Sequence, residues 1–253
     1  MRVTWQVSLR YLRALLRQPA FVVITLVQPL IWLLLFGELF KSMADLPGFG
    51  GSYIAYLAPG IVIMSALFSS GWSGMATIED INRGVTDRLL VSPVRRGALI
   101  AGRVAQSAVV IVLQSLVMVA IALAVGASFA GGVAGVAVLI LLAALLGSAL
   151  AALSNALALV TRQEESLIGA VTFIVLPLTF LSTALMREDL LPGWMQTAAS
   201  LNPVDWAIEA GRSATAASPD WGMVAGDVAL LGALLLVCGA LATQAFRSYQ
   251  RSV

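Results

Sequence analysis

The chain has 253 residues, 60% of them hydrophobic and 11% charged, with one cysteine, no histidine and a formal charge of +2. A soluble domain carries about 25% charged residues, so lipid is the solvent for most of this chain. The missing histidine excludes a serine–histidine–aspartate triad, a histidine-bearing zinc site and a histidine proton relay, and the lone Cys238 excludes an intramolecular disulfide framework.

The N-terminal stretch RVTWQVSLRYLRALLRQP places Trp5, Leu9, Leu12 and Leu16 at steps of four, three and four, with Arg10, Arg13 and Arg17 on a second stripe. This spacing predicts an amphipathic helix over 1–19, lying on the inner membrane face and ending near Pro19. Its arginines do not gather ahead of a short apolar core, which argues against a signal peptide. Six apolar stretches follow, at 20–39, 53–76, 103–125, 133–160, 167–186 and 224–246. Each is about long enough to cross some 30 Å of hydrocarbon as a helix, and helix is the open-chain form that pairs its own backbone in lipid. The predicted fold is an all-α integral membrane protein of six transmembrane helices in one transmembrane domain, 1–253. A cytoplasmic segment lies at 77–102, an outer segment at 187–223 and a cytoplasmic tail at 247–253. The fourth stretch exceeds what a crossing needs, which implies tilt or an extension beyond the membrane.

Arginine and lysine positions set the orientation. With the N-terminus inside, twelve of them, among them Arg83, Arg88, Arg95, Arg96, Arg103, Arg162 and Arg247, face the cytoplasm. Only Lys41, Arg187 and Arg212 face out. Both ends are therefore expected inside.

The middles of the six stretches carry no charge, which disfavours ion-coupled transport through a midplane carboxylate. Glu38 and Asp227 fall near outer ends, at interface level. Pro29, Pro59 and Pro177 can kink their helices. In the fourth stretch, Ala143, Gly147, Ala151 and Asn155 form one small-residue stripe, with Ala144, Ser148, Ala152 and Ala156 beside it. Such stripes let helices approach closely, and packing within the bundle is the plain reading. Gly222 and Gly226 are read the same way. The single lysine, Lys41, has no GxxxxGK[S/T] context, so the chain does not bind ATP in the P-loop manner.

Polar residues gather in two places. From Ile78 to Arg96 there are seven charged residues, Glu79, Asp80, Arg83, Asp87, Arg88, Arg95 and Arg96. Ile81, Val85 and Leu89 recur every four residues, which predicts a short amphipathic helix ending before Pro93. Its mixed charges suit a groove on a protein partner better than anionic lipid. In the outer segment, LNPVDWAIEAGR reads as a helix start: Asn202 as N-cap, Pro203 at the first helical position and Asp205 in the first turn. Asp205, Glu209 and Arg212 then share a stripe. With DLLPGWMQTAASL upstream, this predicts two short helices dipping into or lying on the outer leaflet, anchored by Trp194 and Trp206.

These features, in this order, resemble the permease subunit of type-2 ABC exporters, specifically the daunorubicin-resistance-type drug or lipid permeases. EDINRGVTDRLLVSPVRRGALIAGR resembles that family's cytoplasmic E-x-x-x-G-T-x-x-x-L-x-x-S-P-V segment. LNPVDWAIEAGR resembles its outer N-P-x-x-x-x-x-E-x-x-R segment, and the helix ahead of the first span is similar as well. The resemblance covers essentially the whole chain. It implies a coupling helix from Glu79 to Leu90, docked on a separate ATP-hydrolysing subunit, with Glu79, Asp80, Arg83, Gly84, Asp87, Arg88, Leu89, Leu90 and Pro93 in the contact. Val85 stands where threonine is common, and either Glu79 or Asp80 can be the family acid. Asn202, Pro203, Glu209 and Arg212 match the outer pattern, which with Asp205 forms a gate segment.

The resemblance further implies that this chain binds no cofactor, that ATP and magnesium sit on two copies of the partner ATPase, and that a second permease copy or a paralogue completes the pore. A hydrophobic drug, lipid or glycolipid would leave through the cytoplasmic membrane, and no nucleic acid is involved. The competing reading is a non-transporting scaffold or immunity protein that uses the same segment to recruit a partner. An intramembrane enzyme lacks candidate metal ligands and buried carboxylate pairs.

Overall fold

The computed structural model describes residues 19–40, 53–84, 96–184 and 191–251. Among them every regular element is helical: α1 (Pro19–Leu39), α2 (Tyr53–Gly71), α3 (Met75–Asn82), α4 (Arg96–Ala124), α5 (Gly132–Thr161), α6 (Glu164–Phe180), α7 (Gly193–Ser200), α8 (Pro203–Thr215) and α9 (Trp221–Arg251). The interface helix expected over 1–19, with Trp5, Arg10, Arg13 and Arg17, lies outside these residues except for Pro19. Proline at a first helical position loses no intrahelical hydrogen bond, and α1 begins on it.

α5 is the central post. α9, α4, α2 and α8 all pack on it, and its small residues explain why. Both stripes are buried apart from Ala144, which is half-buried. A Cβ on Gly147 would fall 2.4 Å from Ile111 Cδ1 of α4. In lipid, helices gain little from hydrophobicity and much from such close contact. The stripes are thus consumed by packing inside the chain. Gly222 and Gly226 differ, because both are exposed and neither is packed on by another helix.

The tightest approach joins the N-terminal end of α5 to the C-terminal end of α8. A Cβ on Gly131 or Gly135 would lie 2.1 or 2.2 Å from the Ala214 carbonyl oxygen. Gly135→Val is expected to force the two helices apart and lower stability by about 1–3 kcal/mol, read as a lower melting temperature in detergent.

Among the described residues, four helical stretches are long and apolar enough to cross a membrane: Tyr53–Asn82, Ile100–Ala124, Gly132–Thr161 and Trp221–Tyr249. The first is α2 and α3 run together through a 3₁₀ turn at Trp72–Gly74. Gly74 sits there because a Cβ would strike the Ser154 backbone oxygen at 2.5 Å. α4 starts at Arg96, ahead of the expected 103, and α9 runs past 246 to Arg251. A polar flank does not end a helix, since backbone bonding continues into water wherever nothing breaks it.

The stretch expected at 167–186 is shorter than predicted. α6 has 17 residues, about 25 Å at 1.5 Å per residue. Pro177 cannot donate to the helix, and past Phe180 the Thr183 N–H bonds the Asp205 carboxylate, 2.7 Å away.

Candidate coupling site and outer clamp

Thr77 and Asp80 lie on α3, the last turns of the long α2–α3 rod. The rod stops where Arg83 N–H bonds Glu79 O at 3.0 Å and Gly84 N–H bonds Ile81 O at 2.9 Å. Gly84 has φ +65°, a left-handed conformation that glycine adopts without strain. Glu79 to Asn82 therefore belong to the end of a membrane rod rather than to a separate helix. Asp87, Arg88, Leu89, Leu90 and Pro93, with the rest of the expected coupling helix, lie outside the described residues.

The two candidate acids have different surroundings. Glu79 pairs with Arg83 one turn on, and these side chains are 55% and 69% exposed, a solvated pair worth roughly 0–0.5 kcal/mol. Asp80 turns inward and pairs with Arg103 of α4, with side chains only 22% and 18% exposed. Ile81, expected on a ridge for a partner, packs instead within this chain, beside Ile100, Phe246 and Tyr249.

From Arg103 the polar contacts run into the core. Arg103 Nη1 donates to Thr77 Oγ1 at 2.8 Å, and Thr77 Oγ1 donates to Asn155 Oδ1 of α5. Asn155 Nδ2 reaches Ser73 Oγ at 3.1 Å and Ala151 O at 2.6 Å. Ser154 Oγ donates to Gly71 O and accepts from Gly74 N–H at 3.0 Å. The end of the α2–α3 rod is thus bonded to α4 and to the central helix by groups that are almost all partnered. Such a network holds one arrangement strongly, because breaking any member strands a buried polar atom.

A second tie lies at the C-terminal ends of α5 and α9. Arg162 ends α5 with φ +55°, and its guanidinium sits 4.7 Å from the centre of the Tyr249 ring, a cation–π contact.

At the opposite end of the bundle, Asn202 caps α8 as the sequence predicts, its Oδ1 accepting from Val204 N–H at 2.9 Å. Its Nδ2 also donates to Leu178 O and Leu181 O at 2.7 and 2.9 Å, two carbonyls freed where α6 ends. Pro203 takes the first helical position. Asp205 Oδ1 accepts from Thr183 N–H and lies 2.7 Å from Thr183 Oγ1, which is also 2.9 Å from Glu209 Oε1. That hydroxyl has one proton for two carboxylates.

Arg212 closes the cluster. It donates to Glu209 Oε1 at 2.9 Å, Thr183 Oγ1 at 3.1 Å, Thr183 O at 2.7 Å and Ala184 O at 3.2 Å. Its guanidinium carbon lies 3.8 Å from the centre of the Tyr56 ring of α2. Burial pushes the Asp205 carboxyl above its ordinary range, against the two Thr183 hydrogen bonds; Glu209 adds to the rise and Arg212 opposes it.

The stripe of Asp205, Glu209 and Arg212 is therefore the inner face of α8. The helix packs on α5, α9 and α2, with Val204, Ala207, Ile208, Ala210 and Ala214 fully buried. Trp206 is half-buried against the core, its indole N–H bonded to Ser200 O at 2.8 Å. Trp194, on α7, is 68% exposed and free to act as an interface anchor. Among the described residues no group of three or more His, Cys, Asp or Glu side chains could hold a metal ion.

Residues 2–215 match the family described as ABC-2 type transporter. The chain belongs to that family. Its relatives include the transport permease ycf38 of Pyropia yezoensis, 30% identical over 78% of this chain and 68% of the relative. The daunorubicin resistance ABC transporter permease protein DrrB1 of Streptomyces coeruleorubidus is 28% identical over 86% of this chain and 79% of its own length. The inner membrane transport permease YadH of Escherichia coli K12 is 30% identical, over 74% of each chain. The permease resemblance read in the sequence is thereby borne out, and the protein is a multi-pass membrane permease of the ABC-2 type.

Thr77, Asn155, Thr183 and Tyr56 were not legible as site residues. An asparagine inside the fourth apolar stretch is the signal that could have raised Asn155, because a buried polar side chain in lipid needs a partner; Thr77, at the edge of its stretch, gave no such signal.

Proposed function

We propose that this chain is the membrane subunit of an exporter energised by a separate ATPase, with six spans and both ends in the cytoplasm of the cell membrane. Two copies, or one copy and a paralogue, form the path, and two ATPase subunits bind the segment from Glu79 to Pro93. The cargo is a hydrophobic or amphipathic compound, a drug, lipid or glycolipid, taken from the cytoplasm or inner leaflet. Uncharged span centres support an apolar cargo, and relatives named for daunorubicin and doxorubicin resistance point the same way.

The observation that carries the reading is the polar chain from Asp80 through Arg103 and Thr77 to Asn155. It bonds the root of the cytoplasmic segment directly to the central helix. A push on that segment would move α5, on which the outer clamp of α8 also rests. Nothing in such a device needs ATP on this chain.

The test is reconstitution with a candidate partner ATPase, followed by nucleotide-dependent efflux. Asp87→Arg and Leu89→Asp are each expected to leave membrane insertion intact and reduce efflux at least about tenfold, the effect of losing one desolvated contact at a small interface. Wild-type efflux and ATPase binding in both variants would defeat the proposal. A nucleotide-independent complex without efflux would favour the recruiting scaffold.

A further inference from the structure

A cavity of about 240 Å³ opens between α1, α2 and α4, and no charged side chain lines it. Trp32, Phe68 and Trp72 supply aromatic surface, and Gln28, Ser65 and Gln114 supply polar atoms. Gln114 is 4% exposed, and its Oε1 has no hydrogen-bond partner among the described residues. A dry, unpaired amide oxygen is rare in folded proteins and calls for a reason. The amide borders the cavity, and a half-turn about its last bond exchanges oxygen and nitrogen, so the acceptor can be offered to whatever enters. Ser65 already donates its proton to Val62 O at 2.8 Å, which leaves its oxygen as a second acceptor. Gln28, Ser69 and the two indoles can donate to the cavity, but the Gln114 oxygen is an acceptor that none of them reaches, so an occupant that brings its own donor gains the most.

Size and charge narrow the occupant further. Pockets for whole drug-sized ligands run to about 300–1,000 Å³, so this one holds one end of a molecule. With no countercharge, an ionised group would enter at a heavy desolvation penalty. Aromatic walls favour a flat ring.

We propose that this cavity is a binding site for the uncharged, hydroxyl- or N–H-bearing aromatic end of an amphipathic small molecule, with the Gln114 amide as its acceptor. As the cargo-recognition site of the exporter it rests on the function proposed above; as a binding site it stands without it. A lipid acyl chain would fill the same space with no donor, and the test separates the two.

The purified chain in lipid nanodiscs is titrated with naphthol and with its methyl ether, which has the same ring and no donor, against empty nanodiscs. Naphthol is expected to bind saturably and about tenfold more tightly than the ether, the discrimination one neutral hydrogen bond supplies. In Gln114→Leu and Gln114→Met that preference disappears while the unliganded protein melts no lower, because a dry orphan has been removed. Ser69→Phe, which fills the space, removes both ligands.

Equal affinity for the two probes, or an unchanged preference in the Gln114 variants, would overturn the site. If the probes behave as expected but ATP-driven efflux is absent, the site stands and the exporter reading falls. If efflux is present and Ser69→Phe exports at the wild-type rate, the cargo role falls and the exporter remains.

Discussion

Arg212→Met is expected to lower the stability of the folded chain by about 3–5 kcal/mol, the typical result of removing one partner from a buried charge cluster. The side chain is 11% exposed and is the cation beside Asp205 and Glu209. Its loss would also free the carbonyls of Thr183 and Ala184 and uncover the Tyr56 ring. Arg212→Lys recovers less than half of the loss. An ammonium can neutralise the carboxylates, but it cannot bridge several acceptors in a fixed plane while stacking on a ring.

The deficit of Arg212→Met also depends on pH. The Asp205 carboxyl is already held above its ordinary range by burial, and Arg212 works against that rise. Without the arginine the folded value climbs further from the unfolded one. An acid raised in the fold destabilises it as pH increases from the unfolded value through the folded value. The variant is thus least impaired in acid and loses more as pH rises through that window. Melting temperatures of both proteins across the acid range check this, and a deficit independent of pH would show that Arg212 acts through packing alone.

Much of the architecture could be read from the chain because lipid is a demanding solvent. A helix that must satisfy its own backbone leaves long uncharged runs, and those runs gave the fourth stretch to within one residue at each end. The ends of α4 and α9 were misplaced because hydrophobicity marks where a membrane ends, and their backbones continue past it. α6 was overestimated because what stops it lies far away in the sequence: Asn202 and Asp205 capture groups that a longer helix would have used internally.

The cap at Asn202–Pro203 was legible, since its chemistry spans adjacent residues. Which way α8 faces was not. A stripe of Asp205, Glu209 and Arg212 reads as a water-facing surface until Thr183 and Tyr56 are placed against it. The inner site shows the same limit. Asp80 and Arg103 stand on different elements, and nothing local distinguishes Asp80 from Glu79.

Reversing the Asp80–Arg103 pair tests whether force passes through it. Asp80→Arg alone places two guanidinium groups together where each native side chain is about one-fifth exposed, and Arg103→Asp does the same with carboxylates. Each is expected to cost about 2–4 kcal/mol, less than a fully buried pair because water still reaches the site. Each is also expected to reduce ATP-driven efflux at least about tenfold, as for a lost coupling contact. The exchanged double variant restores the attraction but not every bond. In the native chain Arg103 donates to Thr77 Oγ1, which donates its own proton to Asn155. An aspartate at 103 would compete for that proton and loosen the link to α5.

The double variant should therefore regain most of the lost stability and only part of the efflux, with a pairwise coupling of about 1.5–3 kcal/mol in the stability cycle. That split identifies what the pair does. Full recovery of both would mean that attraction between the rod and α4 suffices. Stability without efflux would place the transmission step at the Thr77–Asn155 bond, where the rod meets the central helix. A double variant as unstable as either single one would show that the two charges do not act on each other, and the polar chain would lose its role as the conduit.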